Sequence, residues 1–456
     1  MSTVTTVGTV RHPDSNSPEA MTKRAWWLVG LNILVPGSAQ LLAGDRRLGR
    51  FGVRATFVLW AIAVVGLLLW FLWPTAIYTL ASTTLTLWII TAALVFYAAL
   101  WVVLTFDTLR LVRIVKARPA AQGWIAGLAA VALVALSGTA AFGAYVAGTA
   151  SSFVSEVFVV APPEPPIDGR YNIMLLGGDA GADREGLRPD SISVVSIDAL
   201  TGAATTIGLP RNMLNVPFVD GSPMAAKYPN GFGADGSCGV DVCLLNSIYT
   251  EVEQISPEMY PDAVAQGSSP GIEGMRDAVE GITGITIQYY ALIDMQGFSD
   301  LVDALGGVTV TVNEAVPIHA DETFTTVAEW IGPGVVTLDG YHALWYARSR
   351  HDTTDYDRMA RQRQIQQAIL EQFSPANVLS KFQSIASAGG QVVKTDIPQS
   401  TLGYFVELAS KTRELPITTV ELVPDNGVDP EDEDWDYIRQ LVAEGIAPIV
   451  VDETSG

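Results

Sequence analysis

Three uncharged apolar segments constrain this chain more than any other feature of its sequence. These segments cover residues 55–73, 85–106 and 124–149. An α-helix of about 20 apolar residues crosses the hydrocarbon core of a bilayer, so each segment is predicted to span a membrane. A fourth apolar segment, residues 25–44, contains Asn32, Pro36, Gly37 and Gln40. We expect a broken or re-entrant helix there, because these residues interrupt a regular span.

The charges that flank these segments predict how the chain is oriented in the membrane. Residues 45–54 contain four arginines, and residues 107–118 contain three arginines and one lysine. Because positively charged loops stay in the cytoplasm, both stretches are predicted to lie inside, with the uncharged link 74–84 outside. Residues after about 150 are then predicted to lie on the extracytoplasmic side of the membrane. The side of the N-terminus depends on whether 25–44 crosses fully.

Composition divides the chain into four parts. Residues 1–20 are polar and lack apolar periodicity, which is typical of a disordered tail. Residues 21–150 form a multi-pass transmembrane region, and the absence of ionisable residues in mid-span indicates an anchor rather than a transporter. Residues 151–169 form a linker that is rich in proline. Residues 170–452 are predicted to form an extracytoplasmic domain.

Charge and cysteine content narrow the class of that domain. Residues 1–150 carry a net charge of +7 and residues 151–456 carry −28. The acidic part is therefore not a general nucleic-acid binder. The two cysteines, Cys238 and Cys243, are too few for a structural zinc site. Outside the cell a disulfide is the expected state, and two free thiols are the alternative.

Strand and helix patterns alternate after residue 170, which indicates a layered α/β domain. Strand patterns cover 171–178, 190–198, 203–209, 286–294, 307–313, 392–397 and 418–424. Helix patterns cover 244–255, 272–282, 297–305, 375–387, 401–411 and 435–446. The Gly- and Pro-rich stretch 215–243 is predicted to be either a functional lid or disordered, since long loops without secondary structure are uncommon.

Residues 345–364 hold five of the 16 Lys and Arg residues that follow residue 150. These five are Arg348, Arg350, Arg358, Arg361 and Arg363. A helix is predicted from Asp355, and Asp355, Arg358, Gln362, Ile365 and Ile369 fall on one stripe of it. We expect Arg348 and Arg350 on extended or looping backbone, where residues two apart point the same way. A phosphate or pyrophosphate ligand would offset the repulsion among the arginines; a solvated basic helix paired with Asp and Glu is the alternative.

Two aspartates lie at the ends of neighbouring strand patterns. Asp179 comes directly after the strand 171–178, and Asp190 starts the strand 190–198. If they meet at one edge of a sheet, they suit Mg²⁺, which takes one or two carboxylates together with phosphate oxygens. Ordinary turn residues are the alternative interpretation.

Six motifs in order give the second part of the chain a resemblance to the LytR-CpsA-Psr family of cell-envelope glycopolymer transferases. They are NIMLLGGD, RPDSISVVSID, LPRNM, YALIDMQGFSDLVDALGGVTV, LDGYHALWYARSR and DYDRMARQRQ, within about 171–372. The resemblance implies an α/β/α sandwich that buries a polyprenyl tail and holds its pyrophosphate at the cavity mouth. It also implies transfer of a lipid-linked glycopolymer to peptidoglycan with formation of a phosphodiester.

The resemblance also implies roles for individual residues. Asp179 and Asp190 would hold Mg²⁺ (or Mn²⁺), and Asp355 would orient Arg358 or help to activate the acceptor hydroxyl. The residues implied to contact the pyrophosphate or substrate are Arg188, Arg211, Arg348, Arg350, Arg358, Gln362 and Asn246. The chain departs from the family pattern at Gly178, Asn212 and Leu244. At Leu244 some members have a lysine, which Lys227 is a candidate to replace.

Two other functions stay open at this point. The domain could be a non-catalytic envelope scaffold or sensor that binds a lipid-linked anion. It could also be a pyrophosphatase acting on the same polyprenyl pyrophosphate, since only the acceptor differs between hydrolysis and transfer. The partners that follow from the transferase interpretation are the lipid-linked glycopolymer, peptidoglycan and the lipid bilayer.

Overall fold

The computed structural model describes residue 11 and residues 13–178, 188–320, 326–349, 354–372 and 393–447. Asp179, Arg350 and the helix expected at 375–387 lie outside these residues. The chain divides into two units, Met1–Ser152 and Phe153–Gly456.

The first unit is helical throughout the part that the structure describes. Its helices are α1 Pro18–Leu34, α2 Ser38–Ala43, α3 Arg46–Leu72, α4 Pro74–Ser82, α5 Thr84–Val112 and α6 Pro119–Val157, the last of which continues into the second unit. Three helical stretches, Arg46–Leu72, Thr84–Lys116 and Pro119–Val157, are long and apolar enough to cross a membrane. The segment 25–44 is broken between α1 and α2, as its proline and glycine indicated.

Two boundaries of the helical region differ from the sequence expectation. Helix α1 begins at Pro18, inside the 1–20 segment that we expected to be disordered. Ser17 caps this helix, since its hydroxyl accepts a hydrogen bond from the Ala20 backbone N–H at 3.3 Å. Helix α6 continues to Val157, and so its last turns occupy the start of the expected linker.

The second unit alternates strands and helices. Its strands are β1 Arg170–Gly178, β2 Pro189–Asp198, β3 Ala204–Leu209, β4 Tyr289–Asp294, β5 Val308–Val312, β6 Val316–Ala320, β7 Val327–Ile331, β8 Gly334–Leu338, β9 Val393–Thr395 and β10 Thr418–Glu421. Its helices are α7 Pro223–Lys227, α8 Pro270–Thr283, α9 Met295–Leu305, α10 Gly340–Arg348, α11 Asp355–Gln372, α12 Leu402–Thr412 and α13 Trp435–Ile446. The stretch expected to be a helix at 244–255 is a succession of short 3₁₀, α and π turns.

A mixed six-stranded sheet organises this unit. The strand order is β10-β3-β2-β1-β4-β9. Strands β1, β2 and β3 are successive antiparallel neighbours, whereas β4 runs parallel to β1 and β10 runs parallel to β3. In this register Gly178 pairs with Pro189 on one side and with Asp294 on the other. The end of β1, the start of β2 and the end of β4 therefore meet at one edge of the sheet.

One face of the sheet carries the larger core. Buried Met174, Leu176 and Val194 alternate with residues of the opposite face and pack with helices α8 and α13. The stretch 215–243 contributes Val216, Phe218, Met224 and Phe232 to the same core. The expectation of a disordered loop there is wrong, because these apolar side chains anchor the stretch.

The disulfide between Cys238 and Cys243 lies in the same stretch, with an S–S distance of 2.07 Å. It closes a loop of only a few residues. This loop packs beside the main core, since both cysteines contact that core while remaining partly exposed.

Helices α9, α10 and α11 cover the opposite face, so helices lie on both sides of the sheet. A second buried cluster joins α10 and α11 to the small sheet β5–β8 and to the hairpin β6–β7. Strands β6, β7 and β8 have no counterpart in the sequence expectations. Gly340 lets α9 and α10 approach closely, because a Cβ atom there would lie 2.0 Å from the carbonyl oxygen of Ser299.

Candidate active site

An apolar cavity of about 370 Å³ lies between the sheet and helices α9–α11. It follows β1 from Ile173 to Gly178, a distance of about 17 Å at the usual rise of a strand. Its apolar walls are Ile173, Leu175, Leu176, Val195, Ile197, Ala291, Ile293, Met295, Phe298, Leu301, Leu344, Ala347, Ile365, Ile369 and Leu370. The long shape and the apolar lining suit a hydrocarbon chain.

Polar residues line the cavity where β1 and β4 end and β2 starts. Asp190 and Asp294 come from the strands on either side of β1, and Arg348 and Gln362 come from helices α10 and α11. Arg348 is exposed at the last position of α10. The cavity therefore combines apolar walls with a mouth that holds both signs of charge.

A chain of alternating charges links this mouth to the start of α11. One guanidinium nitrogen of Arg211 donates to Asp190, and Arg211 Nε donates to Asp355 Oδ2 at 3.2 Å. Arg358 Nη2 lies 3.4 Å from the same Asp355 oxygen. Arg358 is 2% exposed, and a buried guanidinium requires such a partner because desolvating an unpaired charge costs several kcal/mol.

Local sequence explains how these charged side chains are held. Asn246 donates its backbone N–H to the carbonyl oxygen of Arg211 at 3.1 Å, which fixes the backbone after Pro210. Thr354 and Asp357 form a capping box at the start of α11, since each side chain accepts a hydrogen bond from the backbone N–H of the other. The hydrogen bond from the Thr354 N–H is the main cause that lowers the pKa of Asp357.

The other described arginines of the 345–364 stretch have structural partners. Arg361 donates to the carbonyl oxygens of Tyr346 and Ser349 and so ties α11 to the end of α10. Arg363 pairs with Glu421 on β10. Burial lowers the pKa of both guanidinium groups. Arg361 and Arg363 therefore fasten α11 to its neighbours, whereas Arg348 lines the cavity and Arg358 pairs with Asp355.

The structure gives the positions of several residues that the sequence analysis singled out. Arg348 ends a helix, where we expected extended or looping backbone. Arg188 is exposed and is not among the residues that line the cavity. Asn246 also lies outside the lining and acts on Arg211 through its backbone. Lys227 pairs with the fully buried Glu251 at 2.6 Å and does not line the cavity, so it does not replace the lysine missing at Leu244.

Asp294 is the acidic residue of the cavity that the sequence analysis missed. Its Oδ1 accepts a hydrogen bond from the Gly297 N–H at 2.7 Å and caps α9. Its position at the junction of a strand and a helix was the available signal. The expected stripe on α11 was correct, and its apolar end also lines the cavity through Ile365 and Ile369.

The residues at the mouth are compatible with a hard divalent cation. Asp190 and Asp294 flank Gly178, and Gly178 directly precedes Asp179 in the sequence. Carboxylate oxygens are the donors that Mg²⁺ prefers. Within the described residues no group of three or more His, Cys, Asp or Glu side chains surrounds a common point. A cation here would therefore rely on one or two carboxylates and on oxygens of its ligand.

The chain is similar in sequence to several known proteins over part of its length. The chain is 28% identical over 264 residues to Biofilm regulatory protein A of Streptococcus mutans serotype c, covering 55% of this chain and 56% of that protein. It is 26% identical over 289 residues to cell wall biosynthesis protein LcpA of Corynebacterium glutamicum, covering 57% and 52% respectively.

A third relative is named for its reaction. The chain is 26% identical over 233 residues to polyisoprenyl-teichoic acid–peptidoglycan teichoic acid transferase TagU of Bacillus mycoides, covering 51% of this chain and 62% of that protein. The chain thus spans between 52% and 62% of the length of these three relatives.

The family match includes the sheet, the cavity and the charged mouth. It extends over residues 156–438, which is more than half of the chain. This protein belongs to the LytR_cpsA_psr family.

Proposed function

We propose that this protein is a phosphotransferase that moves a glycopolymer from a polyprenyl-pyrophosphate carrier to a hydroxyl group of peptidoglycan in cell wall assembly. The observation that carries the proposal is the 370 Å³ apolar cavity whose mouth contains Asp190, Arg348 and Gln362. A polyprenyl tail matches the apolar walls, and arginine matches pyrophosphate oxygens. The names of the relatives TagU and LcpA, a transferase and a cell wall biosynthesis protein, support the same assignment.

The proposed reaction is an exchange at one phosphorus atom. The acceptor hydroxyl oxygen attacks the phosphorus that bears the glycan, and the bond from that phosphorus to the bridging oxygen breaks. Polyprenyl phosphate leaves with the bridging oxygen, and the hydroxyl proton passes to a carboxylate or to solvent. Such transfers depend mainly on positioning and on neutralising the phosphate oxygens, which are tasks for Arg348, Arg350 and Arg358 with Gln362.

Asp355 acts in this scheme by orienting its neighbours. Its Oδ2 already faces both Arg211 and Arg358, at 3.2 and 3.4 Å. One oxygen of this carboxylate is thus already engaged by two guanidinium groups. We therefore assign Asp355 to positioning Arg211 and Arg358 rather than to accepting the proton.

We propose that Asp179 and Asp190 hold Mg²⁺, or Mn²⁺, in the reacting complex. The cation would neutralise pyrophosphate oxygens at the cavity mouth. The chain's own contribution is to hold the Asp190 carboxylate there, which Arg211 does from the end of β3.

We further propose that the helical region spans the membrane more than once and that residues after 152 lie on the extracytoplasmic side. Three helices of sufficient length and hydropathy support the anchor. The partners are then the bilayer, the lipid-linked glycopolymer and peptidoglycan, and the net charge of −28 over residues 151–456 disfavours nucleic acid.

The decisive experiment measures transfer by the full chain in detergent. The substrates are a synthetic polyprenyl-pyrophosphate glycan, peptidoglycan fragments and Mg²⁺, and mass spectrometry follows polyprenyl phosphate and the conjugate. We expect conjugate with the wild type and at least a roughly 100-fold loss with Asp190→Asn or Arg348→Ala. Lys411→Ala, which changes an exposed cation on α12, serves as the matched control.

The other outcomes separate the alternatives. Polyprenyl phosphate without conjugate, across several acceptors, would identify a pyrophosphatase. Tight lipid binding with neither product would identify a scaffold or sensor. Removal of divalent cations with EDTA is expected to stop transfer, and Mg²⁺ or Mn²⁺ is expected to restore it; transfer that persists in EDTA would rule out the metal.

A further inference from the structure

Helix α10 has a third face, besides the face that is buried in the core and the face that lines the cavity. Ala343 and Tyr346 are buried in the core, whereas Leu344, Ala347 and Arg348 line the cavity. Tyr341 and Trp345, one turn apart, lie on a further stripe that leads to Arg348 by the spacing i, i+4, i+7. This stripe begins beside the cavity mouth and runs away from it.

The ring of His319, from β6, lies against the two rings of this stripe. We define the aromatic platform as His319, Tyr341 and Trp345. The ring centroids of His319 and Trp345 are 4.3 Å apart, and each of these rings is 6.4 Å from Tyr341. Tyr341 is 43% exposed and His319 is also exposed, while Trp345 packs partly against the core. Trp345 therefore anchors the platform to the core, and the rings of Tyr341 and His319 are exposed to solvent.

The backbone of His319 is adapted to this arrangement. Its φ angle is +48°, in the left-handed region that few residues other than glycine adopt. In this conformation the His319 ring lies against Trp345 at the end of β6. A sparsely populated backbone conformation that places a ring on an exposed surface invites a functional explanation.

Two carboxylates contact His342, whose ring centroid lies 5.3 Å from that of Tyr341. His342 contacts Asp339 at 2.6 Å and Glu329 at 3.2 Å, and these acidic side chains are 57% and 56% exposed. Exposed rings flanked by exposed carboxylates suit a sugar, whose C–H faces pack on aromatic rings and whose hydroxyls donate to carboxylates. The same carboxylates disfavour an anionic membrane surface.

We propose that the aromatic platform binds the sugar residues of the donor glycan that lie nearest to the pyrophosphate. The proposal rests on the proposed function, which places the pyrophosphate at Arg348. Trp345 and Tyr341 precede Arg348 by three and seven residues, about 4.5 and 10 Å along the helix axis. The platform thus extends from the site of the pyrophosphate in the direction that a linked sugar chain can follow.

The test compares lipids with and without sugar on the full chain in detergent. The probes are bare polyprenyl pyrophosphate, the same lipid bearing a hexosamine disaccharide, and the free disaccharide. Tyr341→Ala and His319→Asn each remove a ring, and asparagine tolerates the left-handed backbone. We expect each variant to weaken binding of the sugar-bearing lipid about tenfold while binding of the bare lipid is unchanged.

The controls separate the platform from general effects. Tyr341→Phe keeps the ring and is expected to bind like the wild type. Tyr437→Ala removes a similarly exposed tyrosine from α13 and is expected to change nothing. Thermal midpoints within about 2 °C of the wild type would show that the fold is retained.

Other results would overturn the proposal. Equal weakening for both lipids, or no weakening, would show that the rings do not contact sugar. If the ring-removing variants lost binding only to peptidoglycan fragments, the platform would be assigned to the acceptor. If they lost binding to sugar-free anionic vesicles, it would be assigned to the membrane. If the wild type binds neither lipid, the proposed function fails. In that case, weaker binding of the free disaccharide by Tyr341→Ala than by the wild type would still identify a sugar site. Equal binding of the free disaccharide by both would overturn the platform as well.

Discussion

Arg211 connects two carboxylates that are far apart in sequence. It contacts Asp190 and Asp355, which lie 21 and 144 residues from it along the chain. A planar guanidinium has several donors in fixed directions, so one arginine can hold two carboxylates in a defined geometry. Asp355 in turn faces the buried Arg358. Arg211 therefore links Asp190 at the cavity mouth to Asp355 and, through Asp355, to Arg358 at the start of α11.

We expect Arg211→Lys to reduce the transfer rate about 100-fold, because an ammonium group cannot hold both carboxylates and small misplacements cost about that much. The measurement is conjugate formation under saturating lipid. Arg439→Lys, which replaces a partly exposed arginine on α13, is the control and should stay within twofold of the wild type. Near wild-type transfer by Arg211→Lys would show that the bridge is not needed.

Asp277 makes the second unit sensitive to pH. Burial raises the pKa of this carboxyl to about 6, although Tyr260 donates a hydrogen bond to it. The unfolded pKa is about 3.9, so the folded state binds the proton more tightly. The free energy of unfolding therefore falls as pH rises from about 4 to 6 and levels off above 6.

We expect Asp277→Asn to remove this contribution. The difference in unfolding free energy, wild type minus variant, should decline between about pH 4 and pH 6 and stay constant above that range. This difference is measured by urea unfolding of the full chain in detergent, with hydrogen exchange of the α8 backbone amides as the signal. Asp262→Asn, at an exposed position, should show no such decline. A flat difference for Asp277→Asn would contradict the raised pKa.

Helix α11 combines site residues and fastening residues on different faces. Gln362 lines the cavity and Arg358 pairs with Asp355, while Arg361 ties the helix to α10 and Arg363 ties it to β10. Arg363 also lies over β3, since a Cβ atom at Gly208 would be 3.0 Å from its Nη1. These contacts hold α11 above the sheet, where it forms part of the cavity wall.

We expect Arg363→Met to lower the free energy of unfolding by about 2 kcal/mol, because it leaves the partly buried Glu421 without its partner. The double variant Arg363→Met with Glu421→Met should recover most of that loss, since no unpaired charge remains. Chemical unfolding of the full chain measures both. A double variant as unstable as the single one would show that packing, and not charge, sets the cost.

At the scale of the whole molecule, charge asymmetry and the apolar helices belong together. The first 150 residues carry +7, mostly in the two arginine-rich stretches beside apolar helices, and the remainder carries −28. Basic stretches resist translocation, whereas acidic domains do not. Both stretches are thus expected on the cytoplasmic side.

We expect a membrane-impermeant maleimide to label Ala81→Cys on intact cells but to label Arg50→Cys only after permeabilisation. The background would carry Cys238→Ser and Cys243→Ser, so that no native thiol reacts. Both positions are exposed on the chain itself, so protection of Arg50→Cys would reflect the membrane. Labelling of Arg50→Cys in intact cells would reverse the proposed orientation.

Local patterns were sufficient to predict β1, β2 and β3, because each is a short run rich in apolar or β-branched residues that ends near turn residues. They failed for β6–β8, where Pro317, exposed Trp330 and Val335 obscure the alternation. They also failed for 215–243, since a few buried apolar residues anchor that stretch through tertiary contacts. Among the site residues, the stripe on α11 was predictable from helical spacing, whereas the backbone role of Asn246 was not.

The sequence by itself determined the apolar helices, the charge asymmetry, the α/β alternation and the residue types that suit an anion, because these follow from local periodicity and composition. Tertiary structure alone decided which arginines face the cavity and which fasten helices. It also decided that Asp190, Arg211, Asp355 and Arg358 form one network. The longest of these contacts joins residues that are 144 positions apart, and sheet order and helix packing, which no local pattern records, bring them together.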